Sequence, residues 1–461
     1  MREMIYDPHP APVPEPLFAL GSVDELEKSP IYQLEVNGRP ETVYHTDVFD
    51  YAPVVADDPA AGIEVRLTVG KPFDEVVVRP SVRGIVPARD GNVLTFTVYE
   101  WQKLTVELDG DKQTPLFLFL QKRYPKPENA THVYEKGHIY NVGTLELHEN
   151  DVVYLEEGAV VLGKVRADHA DHITIVGNGI INGSPWHLPE SNAHCFFLYF
   201  TWCNHLTLEG FTAVDGPSWH LVPAACDFVT VRDVNVMSRE VTGDGIDITS
   251  CQHVVVEDSF FRAADDCVCI KAHGLIGDKS TVRNVEDVWV RRCVIWDAEP
   301  GNGIEIGYGL CCFEIKDLHF EDCDIVHCEY EGNMGGACMS IHLADSAYIH
   351  DIYYDNIRVE QAEQKLFDIK VLDCKYTMET RKGRVEDIYF SNIRVLNGAF
   401  PVSLIRGYEL SHTESRPVNI RFDNIEILGH RCTDVLDMHM VVELAHDIYV
   451  DGVRNCIRRK F

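Results

Sequence analysis

The sequence predicts an all-β protein: a right-handed parallel β-helix of about ten coils preceded by an N-terminal β-sandwich. Three observations predict it. One short unit recurs through residues 136–461, insertions of unequal length separate its copies, and residues 1–135 carry short alternating strands without that unit.

The recurring unit is apolar-x-apolar-x, closed most often by Asp, Asn or Gly. Copies begin at Ile173, Leu206, Val229, Val254, Val288, Leu318, Ile352, Ile388, Ile420 and Ile448, between 23 and 36 residues apart. A shared core with tolerated insertions marks stacked repeats. A leucine-rich solenoid would need regular Leu spacing and a helix-like return, and propeller blades would carry four strands each. Neither pattern is present, which leaves a parallel β-helix with coils about 4.8 Å apart. The run VVYLEEGAVVLGKV, from Val152, reads as its opening coil.

Before the repeats, IYQLEV, GIEVRLTV, EVVVRP, VLTFTVYE, KLTVEL and PLFLFL are separated by Pro, Gly and Asp, the spacing of a small antiparallel sandwich. YPKPENATHVYEKG reads as the linker. The sandwich is expected to cap the open end of the solenoid, because terminal coils expose apolar edges. Sugar binding and homo-oligomerisation are its other possible roles.

Composition narrows the partners. The formal net charge is −32. Such a chain offers no basic face for nucleic acid or an anionic membrane. It makes an anionic polymer an awkward substrate unless Lys or Arg is supplied locally, although solubility alone also accounts for the charge. No run is long enough to span a membrane. The opening MREMIYDPHPAPVPEPLF has no apolar signal region, so a cytoplasmic location is expected. The 15 cysteines are scattered, without zinc spacing or a disulfide framework, and read as reduced, buried small hydrophobes. No metal or other cofactor is expected.

A second strand family lies between the repeats. Counting from each anchor aligns Asp244-Gly-Ile-Asp-Ile248 with Asp266-Cys-Val-Cys-Ile270, Asn302-Gly-Ile-Glu-Ile306 and Ala337-Cys-Met-Ser-Ile341. Alternation points Ile246, Val268 and Ile304 inward. It puts Asp247, Cys269, Glu305 and Ser340 in one outward column, and Thr249, Lys271, Gly307 and His342 in the next. Asp244 and Asp266 then stack on adjacent coils, with Asp265 beside them. Carboxylates so close repel, and at least one should keep its proton near neutral pH. A protonated carboxyl beside ionised ones suits glycoside hydrolysis, which needs an acid for the leaving oxygen and a base for water. The same cluster could hold Ca²⁺, and single Asp residues also end β-helix strands at turns. His220, Asp247, Lys271, His273, Asn302, Glu305, Tyr308, His342 and Lys370 are the candidate substrate contacts. Trp219 reads as packing beneath Asp244, and FFLYFTW, from Phe196, as core of the stack.

TGDGIDITSCQHVVVEDSFFRAADDCVCIKAHG, from Thr242, followed by GNGIEIG, from Gly301, resembles glycoside hydrolase family 28, the polygalacturonases and rhamnogalacturonases. The resemblance covers roughly residues 136–455 and includes the typical spacing of 21 residues between Asp244 and Asp265. The sandwich-plus-helix layout is similar to family 49, the dextranases and isopullulanase. The resemblance implies an inverting hydrolase without a metal. Asp265 would be the general acid, and Asp244 and Asp266 would position and deprotonate water. Inversion implies carboxyls about 6.5–9.5 Å apart across the scissile bond.

Three positions depart from the family pattern. Gly243 stands for its Asn. Asn302 stands for its His, a support that His273 could supply instead. Ser340-Ile341-His342 stands for the Arg-Ile-Lys that grips a uronate carboxylate, a contact that neutral Ser cannot make. Lys370, one coil on, is placed to compensate in part. A neutral oligo- or polysaccharide with α-linkages is therefore expected. The other readings are a pectin-type hydrolase, a β-helix lyase or fructotransferase, and a non-catalytic glycan-binding solenoid.

Overall fold

In the computed structural model, the structure describes residues 26–455 apart from 187–194, 276–277, 331–334 and 411–412. The opening segment read for a signal sequence lies outside the described residues. The protein is a right-handed parallel β-helix with a two-sheet sandwich at its N-terminal side.

The sandwich has two five-stranded sheets. One is centred on Tyr32–Val36, Ile63–Val69 and Val93–Val98; the other on Asp50–Val55, Leu116–Gln121 and Gln102–Leu108. Tyr32–Val36 alternates buried and exposed side chains, as a strand with one wet face must. Leu116–Gln121 is buried at every position. A strand that is apolar on both faces needs a second surface to cover it, and the β-helix provides one.

That contact corrects the expected role of the sandwich. It lies along the flank of the helix, not over its end. Phe49, Tyr51, Phe117 and Phe119 form one buried cluster with Phe260, Val294, Trp296 and Val326 of successive coils. The Phe117 and Trp296 rings are 5.3 Å apart, and the Phe119 and Phe260 rings 4.9 Å. Lys103–Asp233 at 2.6 Å, Arg79–Glu360 at 2.9 Å and His327–Glu107 at 2.9 Å add ionic and hydrogen-bonded contacts to the same interface. The physical cause is the outward row of large apolar residues in the coils, which the continuous runs FF and VIW contain. Trp296→Ala is expected to cost about 3–5 kcal/mol, because the cavity opens between two layers; urea unfolding measures it.

The repeat strands form a thirteen-stranded sheet, parallel except for the last strand, Val453–Arg454. Two strands precede the ten anchored units: Val152–Leu155 and, earlier still, His132–Tyr134. The first coil thus begins inside the segment read as linker, where a three-residue strand follows a proline-rich stretch. The residue closing each unit has a positive φ, from Gly177 at 136° through Asp233 at 56° and Asn356 at 52° to Gly452 at 72°. That left-handed corner explains the recurrence of Asp, Asn and Gly there. Side chains between corners fill the bore, including the ring ladder Phe320, Tyr354, Phe390 and Phe422. Every cysteine among the described residues is unpaired.

Candidate active site

Strands Ile246–Thr249, Val268–Ala272, Ile304–Leu310, Ala337–Leu343 and Lys365–Val371 are successive parallel neighbours. Ile246, Val268, Ile304 and Met339 share one row and enter the bore. Asp247, Cys269, Glu305, Ser340 and Asp368 share the next, and Gly307, His342 and Lys370 a further one. The ladder continues ahead of the strands: Gly245 N–H donates to the Asp266 carbonyl, and Cys267 N–H to that of Asn302. Asp244 and Asp266 therefore occupy equivalent places on adjacent coils.

Two glycines let the turns close. A side chain at Gly301, whose φ is +137°, would meet the Asp265 backbone at 2.3 Å. One at Gly243 would meet Ser238 Oγ at 1.7 Å and the Glu240 carbonyl at 2.8 Å.

The Lys271 ammonium sits among the carboxylates. It lies 2.8 Å from Asp244 Oδ2, 2.6 Å from Asp247 Oδ1 and 3.7 Å from Asp266 Oδ2, and donates to Cys269 Sγ at 2.8 Å. Burial pulls its pKa down, but Asp244, Asp247, Cys269 and Asp266 outweigh burial and push it well up. Asp244, Asp247 and Cys269 could together hold a metal ion; the ammonium already supplies counter-charge there.

The aspartates are all shifted upward, chiefly by burial. Asp244 and Asp265 are pushed well above the usual carboxylate range, Asp247 to about 6, and Asp266 upward. Lys271 opposes the shift at each. Contact separates them: Asp244, Asp247 and Asp266 touch the ammonium, whereas no ion pair within 4 Å joins it to Asp265. Asp266 also accepts from Asn302 Nδ2 at 2.7 Å. Asp265 accepts the Asp266 backbone N–H at 3.1 Å, and it alone of the catalytic three is partly exposed.

Asn302 thus contacts the cluster itself, and its Oδ1 accepts from Ala337 N–H at 2.9 Å. His273 is buried edge-on to Trp219, 6.3 Å away, and burial followed by Lys271 lowers its pKa to about 4. His220 is wholly buried and accepts from Gly216 N–H at 2.9 Å, while its own backbone N–H holds the Asp244 carbonyl at 3.0 Å.

Asp247, Glu305 and His342 point away from the bore, as alternation requires, but are covered. Ser340 Oγ bonds Glu305. His342 Nδ1 is 3.0 Å from Glu305 Oε1, without hydrogen-bond alignment, and Nε2 is 3.1 Å from Asp368 Oδ2. Lys365 and Lys370 both reach Asp368 at 2.8 Å. Lys370 is therefore engaged within the protein. Burial pulls the His342 imidazole down, yet Glu305 and Asp368 outweigh it and hold it at about 9. Asp368 is depressed to about 2 by His342, Lys370 and Lys365, against burial.

The stabilisation carried by His342 is fully present below its unfolded pKa, about 6.5, and is lost as pH rises through its folded value. Melting temperature should fall from pH 7 to beyond 9, and His342→Gln should flatten that fall. Parallel wild-type and variant curves across this window would contradict the pairing.

The mouth of the site contains residues the sequence reading missed. Trp219 was assigned to packing. It is only half-buried, with the Lys271 ammonium 4.4 Å from its ring centre and Phe196 stacked at 4.9 Å. Phe196 consequently lies outside the bore, unlike Phe197 and Phe200. Tyr308 stacks on His342 at 4.8 Å and faces exposed Tyr376 at 5.2 Å. Exposed Lys375 lies 4.7 Å from the Tyr376 ring, and its pKa is raised chiefly by Tyr376, with a smaller contribution from the Asp265 charge. The 371–384 insertion had no repeat register from which to place these side chains.

Comparison with known proteins now decides the family. Residues 155–441, more than half of the chain, match the family described as Glycosyl hydrolases family 28. The chain belongs to that family. A probable polygalacturonase of Arabidopsis thaliana is 27% identical over 198 residues, 42% of this chain and 40% of that protein. The chain thus spans two fifths of that relative's length. Among solved structures, Dex49A from Penicillium minioluteum aligns with a TM-score of 0.62 at 12% identity, covering 92% of this chain and 95% of that one. A hyperthermoactive exopolygalacturonase from Thermotoga maritima aligns with a TM-score of 0.52 at 14% identity, covering 70% of this chain and 84% of that one. At these identities the likeness is one of fold. The family 28 match and the Dex49A alignment agree with the two resemblances read from the motifs and layout.

Proposed function

We propose that the protein is an inverting glycoside hydrolase acting on α-linkages in a neutral oligo- or polysaccharide. The observation that carries the chemistry is the unequal sharing of Lys271. Asp244 and Asp266 touch its ammonium, and Asp265 does not while remaining open to the cleft. Asp265 keeps its proton and gives it to the glycosidic oxygen. Asp266, whose anion Lys271 and Asn302 favour against burial, takes a proton from water, and Asp244, pushed up by burial and Asp247 and held at 2.8 Å by the Lys271 ammonium, helps to orient that water. Attack opposite the leaving group inverts the anomeric centre. Trp219 and Tyr308, half-buried at the mouth, offer apolar surface to a sugar ring.

The neutral substrate rests on the second network. Ser340 and His342 are turned onto Glu305, and Lys365 and Lys370 onto Asp368. The three cations His342, Lys365 and Lys370 are all engaged by the two carboxylates Glu305 and Asp368, and Glu305 adds negative potential beside Asp266. A uronate there would have to compete with Glu305 and Asp368 for cations already engaged within the protein. One observation favours the second reading, a polygalacturonase: exposed Lys375, a cation on which the Asp265 charge acts. Incubation with neutral α-glucan and oligogalacturonate fragments, with products identified by mass spectrometry and the first-formed anomer by NMR, separates the readings. Preferential cleavage of oligogalacturonates would overturn the neutral substrate, and retention of configuration the inverting mechanism. The unpaired cysteines support a reducing, cytoplasmic setting.

A further inference from the structure

A second cleft, of about 380 Å³, lies between the sandwich and the β-helix. One wall is the sandwich turn carrying Glu100, Trp101 and Gln102, with Lys122 nearby; the other is formed by Asp258, Arg292 and Asp322. These three close consecutive repeat units, each in the left-handed conformation. They form a polar ladder along the helix axis with a rung about every 4.8 Å. The cleft is separate from the aspartate cluster. Within one coil, the buried strand Phe260–Ala263 lies between Asp258 and Asp265 and packs against the sandwich.

Trp101 is 45% exposed although its indole N–H is satisfied by the Ala56 carbonyl at 3.1 Å. The bond fixes the ring and leaves its apolar surface available. The charges of the coil wall are largely matched: Lys103 with Asp233 at 2.6 Å, Arg292 with Asp258 at 2.7 Å, and Arg232 with Glu257 at 2.6 Å. Glu100, Gln102 and Lys122, in contrast, make no side-chain hydrogen bond or ion pair with another described residue. An anchored aromatic ring, uncommitted hydrogen-bonding groups and a matched charge ladder suit a ligand with apolar faces, many hydroxyls, repeating units and no net charge.

We propose that this cleft is a second, non-catalytic binding site for a neutral oligosaccharide. Trp101 stacks on one sugar ring, while Gln102, Glu100 and the coil ladder take hydroxyls of that ring and its neighbours. The site holds glycan on the flank of the coils, apart from the aspartates.

The test uses the full chain carrying Asp265→Asn, so that little sugar is consumed during a titration. Isomaltotetraose, maltotetraose and tetragalacturonate are titrated by calorimetry and by tryptophan emission. A neutral tetrasaccharide should bind in a phase that Trp101→Ala weakens by about tenfold or more. Trp101→Phe should keep part of it, and Gln102→Ala should weaken it without touching the ring. Circular dichroism of each variant guards against misfolding. Unchanged titrations in Trp101→Ala and Gln102→Ala, no binding of either neutral tetrasaccharide, or a Trp101-dependent phase confined to tetragalacturonate would overturn the proposal. Its failure is distinguishable from failure of the hydrolase reading, which would show as turnover retained by the Asp265→Asn chain.

Discussion

Asp265→Asn is expected to lower kcat by about 10²–10⁴-fold while leaving KM and the melting temperature close to those of the parent. Asn preserves the shape of the side chain and the acceptor for the Asp266 N–H, but has no proton to give the leaving oxygen. The loss should fall on the chemical step. The pH profile gives a second readout. Activity requires Asp265 protonated and Asp266 ionised, so it should decline on the alkaline side as Asp265 loses its proton. Burial and Asp266 push that pKa well above the usual range. The alkaline limb attributed to Asp265 should disappear from the residual activity of the variant. Asp244→Asn should cut kcat comparably, because the carboxyl that the Lys271 ammonium holds at 2.8 Å orients the attacking water. Steady-state kinetics on the cognate glycan measures both, and full activity in either variant would sink the assigned roles.

Much of this site was legible because a β-helix translates sequence offset into space. Once the anchors at Val229, Val254 and Val288 are recognised, the register follows by counting, and the pairing Asp247–Cys269–Glu305–Ser340 is the one observed. The closing Asp, Asn and Gly residues were legible for a local reason, the left-handed corner. Counting could not reveal coverage. It pointed Glu305 and His342 outward, which is right, but exposure depends on what the 371–384 insertion and neighbouring coils lay over them. Nor could it reveal partner choice. Lys370 was read as a substrate cation, and Asp368, two residues earlier on the same strand, takes it. The flank position of the sandwich was written in two places, PLFLFL and the FF and VIW runs of the coils. Each looks like ordinary core until both are seen to need cover.

Lys271→Met should affect stability and catalysis together. The parent has Asp244, Asp247 and Asp266 within 4 Å of the ammonium, all but the last below 3 Å. Removing one partner of a buried ionic cluster costs about 3–5 kcal/mol, because the remaining charges lose compensation in a site with little water. Met fills similar volume, so the loss is electrostatic and not a cavity effect. The carboxylates can relieve it only by taking up protons. In the variant their folded-state pKa values move further above the unfolded value of about 3.9. A group whose folded pKa is raised makes the folded state bind more protons than the unfolded state, so its contribution falls as pH rises. The variant should therefore lie closer to the parent at pH 5 than at pH 7.5. Urea unfolding at both pH values measures the difference, and equal losses would mean that Lys271 acts through packing. Catalysis should fail for the complementary reason. With its proton retained, Asp266 can no longer accept one from water, so kcat falls even where the fold survives. Lys271→Arg keeps the charge but cannot place a compact ammonium between carboxylates on adjacent coils; it should restore part of the stability and less of the rate. A rate restored in full by Arg would show that charge alone, without the short contacts to Asp244 and Asp247, sets the ionisation of the pair.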